Sequence, residues 1–200
     1  MNKNKLVKPI LTSSNEALRT PCKTMKWSNN GYKGIPEYLA KCKAVSNELI
    51  ATAKYLEKHG SRGCAGLACN QIGYTDVSVF VVKIGVEWKT FIDPVVGTTS
   101  WSYGTYEGCL SLPRKKHHNT RVVRWRVNSI QFKHIVRVGD GIFNFRWKTL
   151  TLQDGDFTPF EAQVFQHEYD HLKGTLITDH TTIYDEIDKK RQTMEEAYNE

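Results

Sequence analysis

The sequence lacks the features that would assign it to several common protein classes. No apolar run approaches the roughly 18–20 residues that a membrane-spanning helix needs. The N-terminal residues 1–19 contain lysines but no apolar core, which makes them a poor signal peptide. There is no internal repeat, low-complexity segment or glycine/serine-rich linker. We therefore expect one domain, residues 1–200, without membrane association.

Cysteines are few and are not arranged for disulfide bonding. The chain has five, an odd number at irregular spacing, and no CxxC pair. This pattern argues against a disulfide framework and against a closed structural zinc site. Reduced cysteines fit a reducing compartment, so we expect a cytoplasmic protein.

The composition is that of a soluble globular protein with an excess of positive charge. Hydrophobic residues make up 40% and charged residues 24%, and the formal net charge is +7. Residues 113–126 (PRKKHHNTRVVRWR) hold six arginines or lysines. Such a run is typical of a solvated strand edge, where basic side chains discourage self-association. A nucleic-acid-binding domain is the alternative hypothesis, and salt-sensitive RNA binding would support it.

Short apolar stretches in the middle of the chain are typical of β-strands. They are Val77–Val82, Phe91–Val96, Ile130–Val138 and Ile142–Leu150. The third alternates with period two, apart from one lapse, and the turn Gly139-Asp140-Gly141 separates it from the fourth, which indicates a hairpin. Strands so close in sequence pair mostly in antiparallel fashion.

Two helices are predicted on either side of these strands. Apolar residues at steps of three and four predict a helix from Pro36 to about His59. Thr158-Pro159-Phe160-Glu161 forms a capping box, and Gly174 is a natural stop, so a second helix should run from about Pro159 to Lys173. We predict an α+β fold, in which mostly antiparallel sheets pack around this second, central helix, with the other helix towards the N-terminus.

The central helix contains the stretch FQHEYDH, residues 165–171, which has the pattern HExxH. His167 and His171 lie one turn apart and roughly 40° apart around the helix axis, so their imidazoles can converge on one ion. Glu168 is close enough to reach a ligand of that ion. Burying these polar side chains without a partner would cost several kcal/mol, which a bound metal would offset. The stretch therefore predicts a catalytic metal site.

A third ligand can be sought downstream or upstream. The peptidase pattern HExxHxxGxxH fails because Ile177 stands at its last histidine. A peptidase with a distant glutamate ligand is the second enzyme hypothesis, and its candidates are Glu186, Glu195 and Glu196.

The upstream candidate is a cysteine. Cys109 in YEGCLSLP precedes what we expect to be a short apolar strand, and its thiolate suits zinc or ferrous iron. Spacing alone does not favour Cys109 over Cys64 or Cys69.

Three motifs in order resemble those of the peptide deformylase family. CAGLACNQ (Cys64–Gln71) is similar to GxGLAxxQ, EGCLS (Glu107–Ser111) matches the second motif, and QHEYDHLKG (Gln166–Gly174) matches QHExDHLxG. The early stretch KPILTSSNEALRTPC (Lys8–Cys22) is also similar to the family's N-terminal segment. The resemblance covers nearly the whole chain.

The resemblance implies a metal-dependent hydrolase that removes the formyl group from the formylmethionine of nascent polypeptides and releases formate. It implies one divalent ion, Fe²⁺ first and Zn²⁺, Ni²⁺ or Co²⁺ as alternatives, held by Cys109, His167 and His171. Metal-activated water would attack the formyl carbon with Glu168 as general acid/base. The implied partners are N-formylmethionyl nascent chains, with the ribosome surface as a further candidate, and we expect a monomer.

The remaining roles also follow from the resemblance. The side-chain amide of Gln71 and the backbone N–H of Leu110 would stabilise negative charge on the formyl oxygen. Gly66 would let the peptide backbone approach closely, because it has no Cβ.

An apolar pocket should receive the methionine side chain. Its expected wall consists of Leu67, Leu110, Gln163, Val164 and Phe160, with core packing as the alternative for Leu67 and Phe160.

Two departures from the family pattern have consequences. Cys64 replaces the first glycine of the first motif, so it would be strained if that position requires a positive φ. The segment after the second motif is unusually basic, and we place Lys115 or Lys116 at the mouth of the peptide cleft.

Overall fold

The computed structural model describes residues 6–25, 35–59, 63–97, 99–113, 120–137 and 145–180. Within these residues the chain forms two α-helices, α1 (Ile35–His59) and α2 (Pro159–Leu172). The strands of the same residues are β1 (Gly66–Ala68), β2 (Val79–Ile84), β3 (Glu87–Val96), β4 (Thr99–Glu107), β5 (Thr120–Val127), β6 (Ser129–Arg137) and β7 (Phe145–Gln153). Three short 3-10 helices cover Glu16–Arg19, Cys69–Ile72 and Ile177–His180.

The strands form two antiparallel sheets. The larger sheet has the order β1-β2-β3-β6-β7, and the smaller sheet pairs β4 with β5. The α+β prediction is therefore confirmed. The predicted hairpin is present as β6 and β7, with Ile130 opposite Leu152 and Phe132 opposite Leu150, while its turn Gly139–Gly141 lies outside the described residues.

Helix α1 confirms the pattern read from the sequence. Its start, Ile35, lies one residue before the predicted one, and its end, His59, is the predicted one. The residues spaced at three and four positions are buried: Leu39, Cys42, Val45, Leu49 and Ala53. No helix in the described parts of the chain is long and apolar enough to cross a membrane.

Helix α2 begins with the predicted capping box. The Glu161 N–H donates to Thr158 Oγ1 (3.2 Å), and the Thr158 N–H donates back to Glu161 Oε2 (2.6 Å). The backbone N–H groups of Thr158 and Glu161, which have no partner within the helix, are both hydrogen-bonded in this way. The helix ends at Leu172, one residue before the predicted end, and Gly174 follows with φ +75°.

The hydrophobic core lies between α2 and the larger sheet. The Phe165 ring of α2 lies 4.2 Å from that of Phe91 and 5.0 Å from that of Phe80, measured between ring centroids. Phe132 of β6 extends this aromatic cluster, 4.6 Å from Phe91. Aromatic packing thus holds one face of α2, the face that carries Phe165, against the larger sheet. The neighbouring face, which carries HEYDH, is therefore turned towards β4 and β5.

Replacing Gly174 with alanine is expected to lower the free energy of unfolding by about 2–4 kcal/mol. The residue has φ +75°, and an added Cβ would lie 2.5 Å from the Arg19 carbonyl oxygen. Gly155→Ala is the matched control, since Gly155 has φ +107° and no atom within 4 Å of an added Cβ. It should lose only about 1 kcal/mol. Urea denaturation measures both, and equal losses would contradict the prediction.

Candidate active site

Three potential metal ligands meet between α2 and the end of β4. The donor atoms of Cys109, His167 and His171 all lie within 4.8 Å of one another, and Cys109 Sγ is 3.4 Å from His171 Nε2. Their exposed fractions are 4%, 9% and 1%. Cys109 lies two residues after the end of β4, and the prediction of a short apolar strand after it is wrong. Residues 110–112 form a turn, and the Leu112 N–H donates to the Cys109 carbonyl (3.2 Å).

The chemistry of this cluster fits a divalent ion. Burial lowers the pKa of His171 well below its usual value, so its imidazole is neutral, which is the form that binds metals. The Nδ1 atom of His171 has no hydrogen-bond partner among the described residues, and the Nε2 atom is the one nearest Cys109. One sulfur and two nitrogens leave a fourth corner of a tetrahedral ion open, as catalytic sites require.

Glu107, which the sequence analysis left without a role, orients His167. The His167 Nδ1–H donates to Glu107 Oε2 (2.8 Å), and this leaves Nε2 for a metal. Burial by itself would lower the pKa of His167, but hydrogen bonds to Cys109 and Glu107 raise it well above its usual value. Glu107 stands two positions before Cys109 in EGCLS, so a search for carboxylates beside a ligand could have found it.

Arg124 holds Glu107 in place. Its Nε donates to Glu107 Oε1 (2.6 Å) and its Nη2 to Glu107 Oε2 (2.7 Å). Burial would raise the pKa of Glu107, but the hydrogen bonds from Arg124 and His167 lower it to about 2. Arg124 also pairs with Asp170 of α2 and is only 2% exposed. The solvated strand edge predicted for residues 113–126 is therefore wrong for Arg124.

Glu168 is buried beside the cluster and carries an unpaired oxygen. It is 3% exposed, and its Oε2 has no hydrogen-bond partner among the described residues. Burial raises the pKa of Glu168 to about 7 in the metal-free protein. A carboxyl group whose pKa lies near neutrality can both accept and release a proton.

A cavity of about 560 Å³ opens beside these residues. Gln71 and Leu110 line it together with the predicted ligands Cys109 and His167. The Ala68 N–H donates to Gln71 Oε1 (2.8 Å), and Gln71 Nε2 donates to Ser111 Oγ (3.3 Å). The orientation of the Gln71 amide is thus fixed, and its NH₂ group retains a second hydrogen for a ligand.

The 3-10 helix that carries Gln71 is tied to the end of α2. Asn70 is fully buried, and its Nδ2 donates to the His171 carbonyl (2.6 Å). This bond couples the position of the predicted Gln71 donor to that of the predicted ligand His171. The sequence analysis assigned no role to Asn70, and nothing in the residue pattern signals one.

The expected substrate wall is brought together only in part. Gly66, Gln163 and Val164 line the cavity, and Gln163 Oε1 accepts a hydrogen bond from Thr105 Oγ1 (3.0 Å). Leu67 is fully buried in the hydrophobic core instead of lining the cavity, because its side chain points to the opposite side of β1 from Gly66. Phe160 is 60% exposed at the cavity wall, so it does not belong to the core.

Cys64 lines the cavity without the strain that its place in the first motif suggested. The positive φ of this loop falls on the preceding residue, Gly63 (+69°), and not on Cys64. The Cys64 thiol donates to the Gly66 carbonyl (3.3 Å), and burial raises its pKa to about 12. The predicted cleft residues Lys115 and Lys116 lie outside the described residues.

Replacing Gly66 with alanine should lower kcat/KM by about 10²-fold, because a displaced catalytic group loses its alignment. An added Cβ would lie 2.6 Å from Glu168 Oε1 and 2.7 Å from Val164 Cγ1. Gly63→Ala serves as control, since its φ of +69° costs some stability but nothing lies within 4 Å of a Cβ there, so kcat/KM should be retained. The measurement is the rate at which both variants carry out the hydrolysis that the family resemblance implies. An unchanged kcat/KM in a folded Gly66→Ala protein would contradict the prediction.

Comparison with known proteins identifies the family. The family model described as polypeptide deformylase matches residues 7–189. Peptide deformylase of Treponema pallidum is 37% identical over 136 residues, which cover 65% of this chain and 67% of that protein. Peptide deformylase 1 of Clostridium perfringens is 29% identical over 176 residues, covering 87% and 97%.

Solved structures agree in fold. The crystal structure of peptide deformylase from Thermotoga maritima has a TM-score of 0.59 at 23% identity and covers 88% of this chain and 98% of its own. The Met-Ala-Ser-bound class I type b enzyme from Acinetobacter baumannii has a TM-score of 0.56 at 20% identity and covers 87% and 98%. With its family model matched over almost the full length, the chain belongs to the polypeptide deformylase family.

Proposed function

We propose that the cavity beside Cys109, His167 and His171 is the active site in which this peptide deformylase removes the formyl group from formylmethionyl nascent chains. The observation that carries the proposal is the convergence of the three donor atoms within 4.8 Å, next to the buried Glu168, on the wall of a cavity. A peptidase with a distant glutamate ligand has less support, because Cys109 already supplies the third donor. Glu186, Glu195 and Glu196 lie outside the described residues.

Cys109 Sγ and the Nε2 atoms of His167 and His171 would hold one divalent ion. Such an ion supplies Lewis acidity, which polarises the formyl carbonyl and makes water more acidic. The donor set suits Fe²⁺, Zn²⁺, Ni²⁺ and Co²⁺, and we take Fe²⁺ as the native ion on the basis of the family resemblance. Glu107 keeps Nδ1 of His167 occupied, so that the same ring nitrogen always faces the ion.

Glu168 moves the protons of the reaction. As a carboxylate it accepts a proton from the attacking water. As an acid it returns that proton to the amine, which leaves when the C–N bond breaks and formate is formed. Its burial serves the second step, because burial raises the pKa of the carboxyl group above its usual value and so favours the protonated form that returns the proton. The proton thus travels through one side chain from the water to the new amino terminus.

Gln71 and Leu110 stabilise the charge that develops on the formyl oxygen. The Gln71 NH₂ group has one hydrogen free after its bond to Ser111, and the Leu110 backbone N–H stands directly after Cys109. Donors that are already oriented cost no reorganisation in the transition state. The Ala68 N–H and the Ser111 hydroxyl hold the Gln71 amide, and the Cys109 carbonyl closes the turn after it, so all three contribute to catalysis indirectly.

The peptide would enter along Gly66, with its methionine side chain against Val164 and Gln163. The absence of a Cβ at Gly66 lets the side chains of Glu168 and Val164 lie directly against β1. A monomeric, cytoplasmic enzyme that meets nascent chains at the ribosome surface is part of this proposal.

Formate release from formyl-Met-Ala-Ser by anaerobically purified protein tests the function. We expect about one equivalent of divalent metal and formate production that a chelator abolishes and added Fe²⁺ restores. Acetyl-Met-Ala-Ser is the matched control substrate, and its larger acyl group should react poorly. Fully metallated protein that liberates no formate would refute the proposal.

A further inference from the structure

Two thiols lie in contact on the side of the fold behind the proposed active site. Cys22 is half-buried near the end of the first described segment, and Cys69 is fully buried at the start of the 3-10 helix Cys69–Ile72. Their Sγ atoms are 3.5 Å apart, although the two residues are 47 positions apart in the chain. Neither residue has a role in the proposed deformylation.

The backbone holds both residues in this arrangement. The Cys22 N–H donates to the Leu172 carbonyl at the end of α2 (2.8 Å), and the Lys23 N–H donates to the Thr75 carbonyl (2.8 Å). On the other side, the Tyr74 N–H donates to the Cys69 carbonyl (3.0 Å). The fold therefore holds the backbones of Cys22 and Cys69 side by side, with their thiols in contact.

We propose that Cys22 and Cys69 form an oxidative modification site, which a small peroxide converts into a reversible disulfide bond. The bond needs an S–S distance of about 2.05 Å, so the sulfurs must approach by about 1.5 Å. Large oxidants are disfavoured, because the Cys22 thiol that meets the oxidant is itself half-buried.

The reaction balances with hydrogen peroxide as the oxidant. Cys22 attacks one peroxide oxygen, the O–O bond breaks, and the products are the sulfenic acid of Cys22 and one water. Cys69 then attacks the sulfenic sulfur, the S–O bond breaks, and a second water leaves as the S–S bond forms. The two thiols lose two protons and two electrons in total, and hydrogen peroxide accepts the two protons and the two electrons as it becomes two waters. A thiol such as dithiothreitol reverses the change by exchange.

The surroundings of Cys22 indicate a slow reaction. Its hydrogen bond with Cys69 and its burial raise the pKa of the Cys22 thiol, so little thiolate is present at neutral pH. Oxidation should accordingly proceed over long exposure to peroxide and not within seconds. The product would fasten the N-terminal segment to the 3-10 helix that carries Gln71.

The test treats zinc-loaded enzyme with hydrogen peroxide, because zinc protects Cys109 and undergoes no redox chemistry. After denaturation and alkylation, we expect the number of free thiols to fall from five to three. Non-reducing peptide mapping by mass spectrometry should show the Cys22 peptide joined to the Cys69 peptide. The thermal unfolding midpoint should rise by roughly 5 °C and return after dithiothreitol.

Two variants complete the experiment. Cys22→Ser removes the half-buried thiol and should show neither the cross-link nor the rise in unfolding temperature. Cys42→Ala, which removes another buried thiol, should retain both. The proposal is overturned if wild-type protein keeps five free thiols, if Cys22 becomes sulfinic acid without a cross-link, or if Cys69 joins a different cysteine.

Discussion

Glu168→Gln is expected to lower kcat for formate release by about 10³-fold while the metal stays bound. The amide has nearly the shape of the carboxyl group, so it should fit the same buried site, but it cannot accept and return a proton. Glu168 is 3% exposed, which leaves little room for bulk water to reach the reacting groups and replace it. Steady-state kinetics with formyl-Met-Ala-Ser, together with metal analysis of the same preparation, measure the effect.

A second carboxylate of the same cavity provides the control for Glu168→Gln. Glu57 lines the cavity at its rim, where it pairs with Lys83. Glu57→Gln removes one negative charge from the cavity without touching the proton path, so kcat should change by less than about threefold. If Glu168→Gln retained wild-type kcat with bound metal, Glu168 would not be the general acid/base.

Cys109→Ala should release the metal and lower formate production by at least about 10³-fold. The two histidines alone cannot hold the ion firmly, and loss of the ion removes several kcal/mol of transition-state stabilisation. The fold should survive, because Cys109 lies in a turn and the capping box and aromatic core of α2 do not involve it. Metal content, circular dichroism and formate release on one preparation separate these effects.

Cys42→Ala is the matched control for Cys109→Ala. Cys42 is a fully buried thiol on α1, and its removal costs core packing but no donor atom of the cluster. It should keep its metal and its activity. A Cys109→Ala protein that retained metal and activity would instead favour the peptidase hypothesis with a different third ligand.

The elements that could be predicted are those that local forces determine. Helix α2 was predicted to within one residue, because its capping box and its C-terminal glycine act within a few positions along the chain. The period-two pattern of β6 was equally clear, since Ile130 and Phe132 face the core.

Strand β4 was missed for a physical reason. Its first four residues, from Thr99 to Ser102, are exposed, and within the described residues it pairs only with β5. A strand with so little buried surface needs no alternating apolar pattern, so nothing in the sequence signals it. Yet β4 delivers Glu107 and Cys109 to the site.

The hydrogen bonds and ion pairs around the predicted metal ligands could not be predicted from the sequence either. Arg124 looked like one member of a solvated basic run, but it is buried between Glu107 and Asp170. Leu67 lies in the core and Phe160 at the cavity wall, because the orientation of a side chain at the cavity depends on how β1 and α2 pack. Apolar character alone does not distinguish a core residue from a pocket residue.

The amino-acid sequence by itself determined that two imidazoles and a carboxylate share adjacent faces of one helix, because 3.6 residues per turn is a local property of the backbone. Residue spacing left Cys64, Cys69 and Cys109 open, and only the family resemblance pointed to Cys109, whose thiol the tertiary structure brings to the two imidazoles. Cys109 and His171 are 62 positions apart, and their sulfur–nitrogen distance of 3.4 Å depends on how β4, β5 and α2 pack. Contacts at such separation follow from the whole fold and not from residue spacing.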